Sequence, residues 1–258
     1  MISTNRYLKT ALLFFFILFW SIWPVVREDN VDAQVWGGYI TSYRINPQFS
    51  LWNDWHYVPG SFFLSRHGLT LHMLPELSAS AGYAAGFLTI PGTSATRLNR
   101  QEHRPWGQLA MRFPLGKKYS ISHRIRYDAR FREAVADGQK TGGYLFNHRV
   151  RFMTSFRRPL TGIKLGEGVP FVTFGNEMHL NLGENILGNN LDQNRTWLMF
   201  GYQLQTATFQ FGYLYRFIPT ATAGKFNHFH TATLWVTHIF GIENAVTPAD
   251  TDLLHRNP

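Results

Sequence analysis

The chain has 258 residues, with 25 Lys plus Arg against 16 Asp plus Glu, a formal net charge of +9, and no Cys. The missing cysteine excludes a disulfide scaffold, a cysteine zinc site and a lipidated N-terminal cysteine. A hydrophobic share of 45% with 16% aromatics excludes a disordered chain. A single long apolar run excludes a polytopic helical membrane protein, and the length suits one large domain or two small ones.

Arg6 and Lys9 precede the apolar run Ala11 to Val26, which is followed by polar Arg27 to Asp32 and then Ala33. Val31 at −3 and Ala33 at −1 fit the small-residue rule of signal peptidase. Residues 1–33 therefore read as a signal peptide cut after Ala33, leaving Gln34 first. The rival reading is an uncleaved anchor, but 16 apolar residues fall short of the about 20 that a spanning helix needs. Removing 1–33 takes three charges of each sign, so the exported 225 residues keep 22 basic against 13 acidic residues.

After Gln34 the pattern is alternation with period two. From Tyr119 to Arg132 the odd positions read Tyr119, Ile121, His123, Ile125, Tyr127, Ala129 and Phe131. The even positions read Ser120, Ser122, Arg124, Arg126, Asp128, Arg130 and Arg132. Phe146, Val150, Phe152 and Phe156 oppose Asn147, Arg149 and Arg151, and Phe209, Phe211, Tyr213, Tyr215 and Phe217 line one face of 208–217. The same alternation covers 48–57, 63–74, 77–87, 102–113, 169–181, 194–204 and 229–240.

A soluble barrel points the apolar face inward; an outer-membrane barrel points it at lipid. The export signal favours the membrane. So do segments of 10–14 residues, since a tilted membrane strand needs about 9–11. Trp55, Tyr57, Tyr83, Tyr119, Tyr127, Tyr202 and Tyr215 sit near segment ends, as interfacial girdles do. The polar faces are also too rich in Arg for a small soluble barrel. Short turns at 75–76, 116–118 and 205–207 alternate with longer stretches at 88–101, 133–143, 183–192 and 218–227, the pattern of short periplasmic turns and longer outer loops. The stretch 157–168 is then a long periplasmic turn.

With 35–45 there are eleven segments, whereas bacterial single-chain barrels usually carry an even number. Placing both termini in the periplasm makes 48–57 an upward strand and 229–240 the last downward one, which gives ten. The expected fold is an all-β transmembrane antiparallel barrel of 10–12 strands over 34–240, with a loose tail at 241–258.

Glu102-His103-Arg104-Pro105-Trp106, His123-Arg124-Ile125-Arg126 with Arg130-Phe131, Asn176-Glu177, Asp192-Gln193-Asn194-Arg195 and Asn227-His228 follow in that order. In this the chain resembles the exported bacterial family catalogued as domain of unknown function 2490, over about 34–240. The resemblance implies an outer-membrane barrel and brings no activity or substrate. The family pattern usually has a carboxylate near Asp128, and this chain has one. It departs at the last strand, where 18 residues follow Phe240.

With polar faces inward, the lumen holds Arg104, Arg112, Arg124, Arg126, Arg130, Arg132, Arg149, Arg151, Arg195 and Arg216, against Glu102, Asp128 and Glu177. Unpaired buried charge is costly, so some must pair. Counting back from Gly116 sets Glu102 opposite Arg130 and Arg104 opposite Asp128. Arg124 and Arg126 fall near Arg149 and Arg151, and Glu177 comes within reach of Arg149. Arg124, Arg126 and Arg151 are left without an acid. Water, loop acids such as Glu133 or Asp137, or carbonyls can solvate them in a filled interior. Alternatively they form an anion site, because rings of Arg favour anions and bind phosphate or carboxylate bidentately. At ten strands the lumen is too narrow for large solutes.

His123, His148, Ser120, Ser122 and Ser155 form no convincing triad. His228, His230 and His238 share a face and read as lumen filling rather than a metal site. Asn194-Arg195-Thr196 is a chance glycosylation match. Basic and aromatic residues fall on opposite faces, which argues against nucleic acid. Expected partners are outer-membrane lipid and small anions, with no cofactor or metal. The primary reading is a narrow anion-preferring conduit or pocket. The alternatives are a non-conducting barrel acting through its outer loops and, third, a lipid-modifying barrel enzyme.

Overall fold

The computed structural model describes residues 30–93, 96–116, 118–163, 165–183, 190–220, 222 and 224–241. Eleven strands account for nearly all of them: β1 (Asn30–Arg44), β2 (Phe49–Val58), β3 (Phe62–Leu74), β4 (Leu77–Pro91), β5 (Arg97–Leu115) and β6 (Tyr119–Ala136). They continue with β7 (Gln139–Pro159), β8 (Val169–Leu182), β9 (Leu191–Gln203), β10 (Ala207–Pro219) and β11 (Phe226–Gly241). Each pairs with its sequence neighbour in antiparallel fashion, and β1 closes the barrel on β11.

The expectation of an even count is overturned. The 35–45 segment is part of an ordinary strand, and the closing pair is parallel, running from Asn30↔Asn227 to Arg44↔Gly241. Closure with an odd number of alternating strands requires one such parallel seam. It places the two chain ends of the barrel at opposite rims, correcting the placement of both at one rim. The β2–β3, β4–β5, β6–β7, β8–β9 and β10–β11 connections share the rim of Asn30, and the others share that of Gly241. Residues 1–29 and 242–258, most of the expected signal peptide and tail, lie outside the described residues. The expected cut after Ala33 falls inside β1.

Alternation decides which way the faces point. Ile125, Tyr127, Phe152, Phe200, Phe211 and Leu234 are exposed on the outer surface, while Arg126, Asp128, Arg149 and Arg151 between them are buried. Strands run longer than the apolar pattern alone suggests. The stretch 133–143 is not an outer loop: β6 and β7 continue to a two-residue turn at Asp137-Gly138, with Ala136 paired to Gln139. Both turn residues have positive φ, 50° and 71°, the type I′ geometry that matches strand twist and favours Asp-Gly.

Glycine has a second use inside. Gly68 and Gly82 face each other across β3 and β4, with Trp106 opposite Gly82 on β5. A Cβ on Gly68 would lie 2.7 Å from the Trp106 indole, so the bare backbone makes the berth for that ring.

Candidate functional site

The inward residues of β5 to β9 build a connected ion-pair network. Glu102, fully buried, accepts hydrogen bonds from Arg104 at 2.8 Å and from Arg130. Asp128 accepts from Arg149 at 2.9 Å and lies 3.7 Å from Arg151. Glu177 collects Arg124 at 2.6 Å, Arg151 at 2.9 Å, His179 at 2.9 Å and Arg195 at 3.5 Å. Asp192 bridges Arg149 at 3.2 Å and Arg130 at 3.5 Å. On the far side, Asp54 of β2 holds Arg66 of β3 at 2.7 Å and His56 at 2.8 Å. Each buried ion costs several kcal/mol of lost hydration, so the sharing of acids is a condition of folding around these arginines.

Arg126 stands apart. It is fully buried, directly opposite Arg151, with no carboxylate within 4.0 Å among the described residues. Its Nε donates to Gln108 Oε1 at 2.9 Å, its guanidinium lies 4.9 Å from the Trp106 ring centroid, and its Nη1 has no partner.

Several register expectations need correction. Glu102 faces Arg132, and Trp106 faces Asp128. Glu102 therefore reaches Arg130 diagonally. Arg104 pairs with Glu102 on its own strand, leaving Asp128 to Arg149, its true opposite across β6–β7. The turn count was off by two residues. The β5–β6 ladder is also interrupted between His103 and Trp106, where Pro105 has no N–H to donate. Arg124 and Arg151 are not acid-free: both pair with Glu177, which reaches Arg151 rather than Arg149. Glu133 pairs with Lys140 instead of a lumen arginine. Nearer the Gly241 rim, Arg112 donates to Ser122 at 3.3 Å. Arg157, on the same half, lies 3.6 Å over the Phe171 ring.

The sequence reading missed Asp54, Arg66 and Asp192, and it missed an aromatic wall. The charge signal was available, because Asp54 and Arg66 face each other across the β2–β3 hairpin. Trp36, Val58, Trp197, Met199 and Leu214 form a buried cluster with Phe62, Met153 and Trp235 against it. Trp36 Nε1 donates to His56 Nδ1 at 3.0 Å. Arg195 and Arg216 lie over the Trp36 ring at 4.9 and 5.5 Å. Arg216 also donates to Gln34, the first residue after the expected cut.

A cavity of about 380 Å³ lies between the aromatic wall and the network. Its lining reaches Ser61, Ile90 and Ile218 near the Asn30 rim and stops at Ile40, Trp52, Arg124 and Trp235. Beyond them, toward the Gly241 rim, buried Thr70, Ser80, Met199, Phe171, Thr173 and Gln203 occupy the interior.

His228, His230 and His238 face outward, correcting their expected role as lumen filling, whereas His56 and His179 are buried inside. Phe229, beneath Arg216, and buried Thr231 take the inward positions of β11. His230 and His228 therefore point out, bonded to Tyr213 at 2.6 Å and to Tyr215. His148 bonds Tyr127 at 2.6 Å, His103 bonds Tyr83, and His238 bonds Tyr39 at 3.3 Å. His123 meets Thr154 at 3.0 Å, away from Ser122, which faces Arg112. Among the described residues no group of three or more His, Asp or Glu is placed to hold a metal ion.

A family model described as a protein of unknown function, DUF2490, matches residues 33–227. No curated protein and no solved structure matches the chain.

Proposed function

The chain belongs to the DUF2490 family of proteins of unknown function, and on that premise we propose that it is an outer-membrane barrel whose interior is a blind anion-binding pocket. One observation carries the reading. Nine inward arginines (66, 104, 124, 126, 130, 149, 151, 195 and 216) surround or underlie the cavity against five carboxylates (54, 102, 128, 177 and 192). The excess of four positive charges makes an entering anion a partner for guanidinium groups that the protein's own acids do not neutralise. Arg binds carboxylate and phosphate bidentately and stays charged when buried.

An N-terminal segment whose sequence reads as an export signal and an outer surface of exposed Phe200, Phe211, Leu198 and Leu234 on adjoining strands support lipid contact. The occupied interior below Trp52 and Arg124 favours a pocket over a conduit. The two-residue β6–β7 turn speaks against that segment as a large interaction loop.

The test is to express the full chain in a Gram-negative host, fractionate the membranes, and titrate the protein in zwitterionic-lipid nanodiscs with inorganic phosphate. The expected result is outer-membrane recovery and saturable binding, weakened about tenfold, or ~1.4 kcal/mol, by the double change R195Q/R216Q. Recovery of folded chain in the soluble fraction, or a folded chain with no saturable phosphate binding, overturns the proposal.

A further inference from the structure

The two walls of the cavity differ in kind, and the difference specifies a ligand. On β5 to β8 every lining side chain except Met153 is charged. On β1, β10 and β11 the lining is Trp36, Ile40, Leu214, Ile218, Phe229 and Trp235, with Arg216 the one charge among the described residues. A small inorganic anion would use the first wall and leave the second facing trapped water. The volume of about 380 Å³ sits at the small end of the roughly 300–1,000 Å³ typical of ligand sites. That is too small for a multi-chain glycolipid.

Among the arginines that line the cavity, Arg195 and Arg216 have the weakest carboxylate contacts, and both belong to the seam between the walls. Arg216 has no carboxylate within 4.0 Å among the described residues. It is 5% exposed, and its Nε lacks an acceptor. Arg195 has a carboxylate only at 3.5 Å, from a Glu177 already shared with Arg124 and Arg151. Both guanidinium groups lie over Trp36. Arg216 is three residues from the end of β10 at the Asn30 rim, whereas Trp235 is nine residues into β11 from the same rim. The free positive charge is therefore near the mouth, and the apolar wall runs from it toward the floor.

We infer that the pocket takes a single-chain anionic amphiphile. Its carboxylate or phosphate head is held by Arg195 and Arg216, and its medium-length acyl chain enters first along Leu214 toward Ile40 and Trp235. This inference rests on the anion-pocket reading above and specifies its ligand.

The experiment uses the full chain in zwitterionic-lipid nanodiscs, corrected against empty nanodiscs, with dodecanoate, dodecyl phosphate, dodecanol, dodecyltrimethylammonium and inorganic phosphate as probes. At least one of the two anionic amphiphiles is expected to bind about 100-fold more tightly than phosphate, and dodecanol and the cationic amphiphile at least about tenfold more weakly than it. Comparing dodecanoate with dodecyl phosphate identifies the head. The change R195Q/R216Q should weaken the anionic amphiphile about tenfold while leaving dodecanol unchanged. As a readout that needs no arginine variant, 12-bromododecanoate should quench tryptophan fluorescence in the unaltered protein, and W235F should remove a measurable share of that quenching. Phosphate binding within about threefold of both anionic amphiphiles would overturn this inference and leave the anion pocket standing. Equal binding of dodecanol, or quenching untouched by W235F, would overturn the head or the chain assignment. No saturable binding of any anion would bring down the pocket reading itself.

Discussion

The charged wall on β5 to β8 and the aromatic wall on β1, β10 and β11 are built by the same alternation, with every second residue turned inward, yet they are stabilised in opposite ways. On the charged wall each carboxylate serves several arginines, so stability depends on a few acids placed to within a residue of register. On the aromatic wall Trp36 and Leu214 pack by shape with Trp197 and Met199 of neighbouring β9, and the loss of one side chain leaves a gap rather than an orphaned charge. A wall of shared charges is specific and brittle; a wall of rings and aliphatic chains is tolerant.

Breaking the acid hub should have the largest effect. Glu177→Gln removes the carboxylate shared by Arg124, Arg151, Arg195 and His179. The expected cost is about 3–5 kcal/mol, since uncompensated buried charge remains, read as a lowered urea midpoint in the nanodisc-free detergent-folded chain. A loss below about 1 kcal/mol would mean that water already neutralises these arginines and that the network is incidental.

Leu214→Ala tests the other wall. Leu214 is 1% exposed, and the substitution should cost about 3 kcal/mol by the same assay. It should also weaken dodecanoate while leaving phosphate binding intact. Equal losses for both ligands would show that the two walls do not act separately.

Two further changes belong to neither wall and sharpen the contrast by leaving the pocket alone. Gly138→Ala forces a side chain into φ 71°, where its Cβ would also lie 2.7 Å from Gly92 carbonyl carbon. A cost of about 1–2 kcal/mol is expected with ligand affinity unchanged. Tyr213→Phe removes one outer hydrogen bond to His230 and should cost about 0.5–1 kcal/mol. A change of ligand affinity in either variant would show that the rim or the outer surface is coupled to the cavity.

The fold was legible because alternation survives in every strand. The ten alternating segments and 35–45 all fall on strands, and in 119–132 Arg126, Asp128 and Arg130 are buried while Ile125, Tyr127 and Phe131 are exposed. The strand count was clouded by a rule about even numbers, which says nothing of a barrel that closes on a parallel pair. The Asp137-Gly138 turn was also present in the sequence as a two-residue hairpin signal, but charged residues around it resembled a loop.

The site was legible only in part. Arg126 and Arg151 as facing like charges followed from hairpin counting. Glu102 with Arg130 followed as well, but the partners of Arg104, Asp128 and Glu177 did not, because an error of two residues keeps the face and changes the neighbour. Asp54 and Arg66 could have been found by extending the same count to the β2–β3 hairpin. The aromatic wall could not, since inward Trp36 and Leu214 look on paper like outward ones until the parity of each strand is known.

The central claim is that the interior is a closed-bottomed anion pocket in a membrane barrel. The most direct measurement is current across a planar bilayer under a salt gradient, with insertion of the full chain verified by protease protection. The account predicts inserted protein with no steady conductance, because side chains from Phe171 to Thr70 fill the half nearest the Gly241 rim. A steady, anion-selective current would contradict it and make the arginines the lining of a conduit.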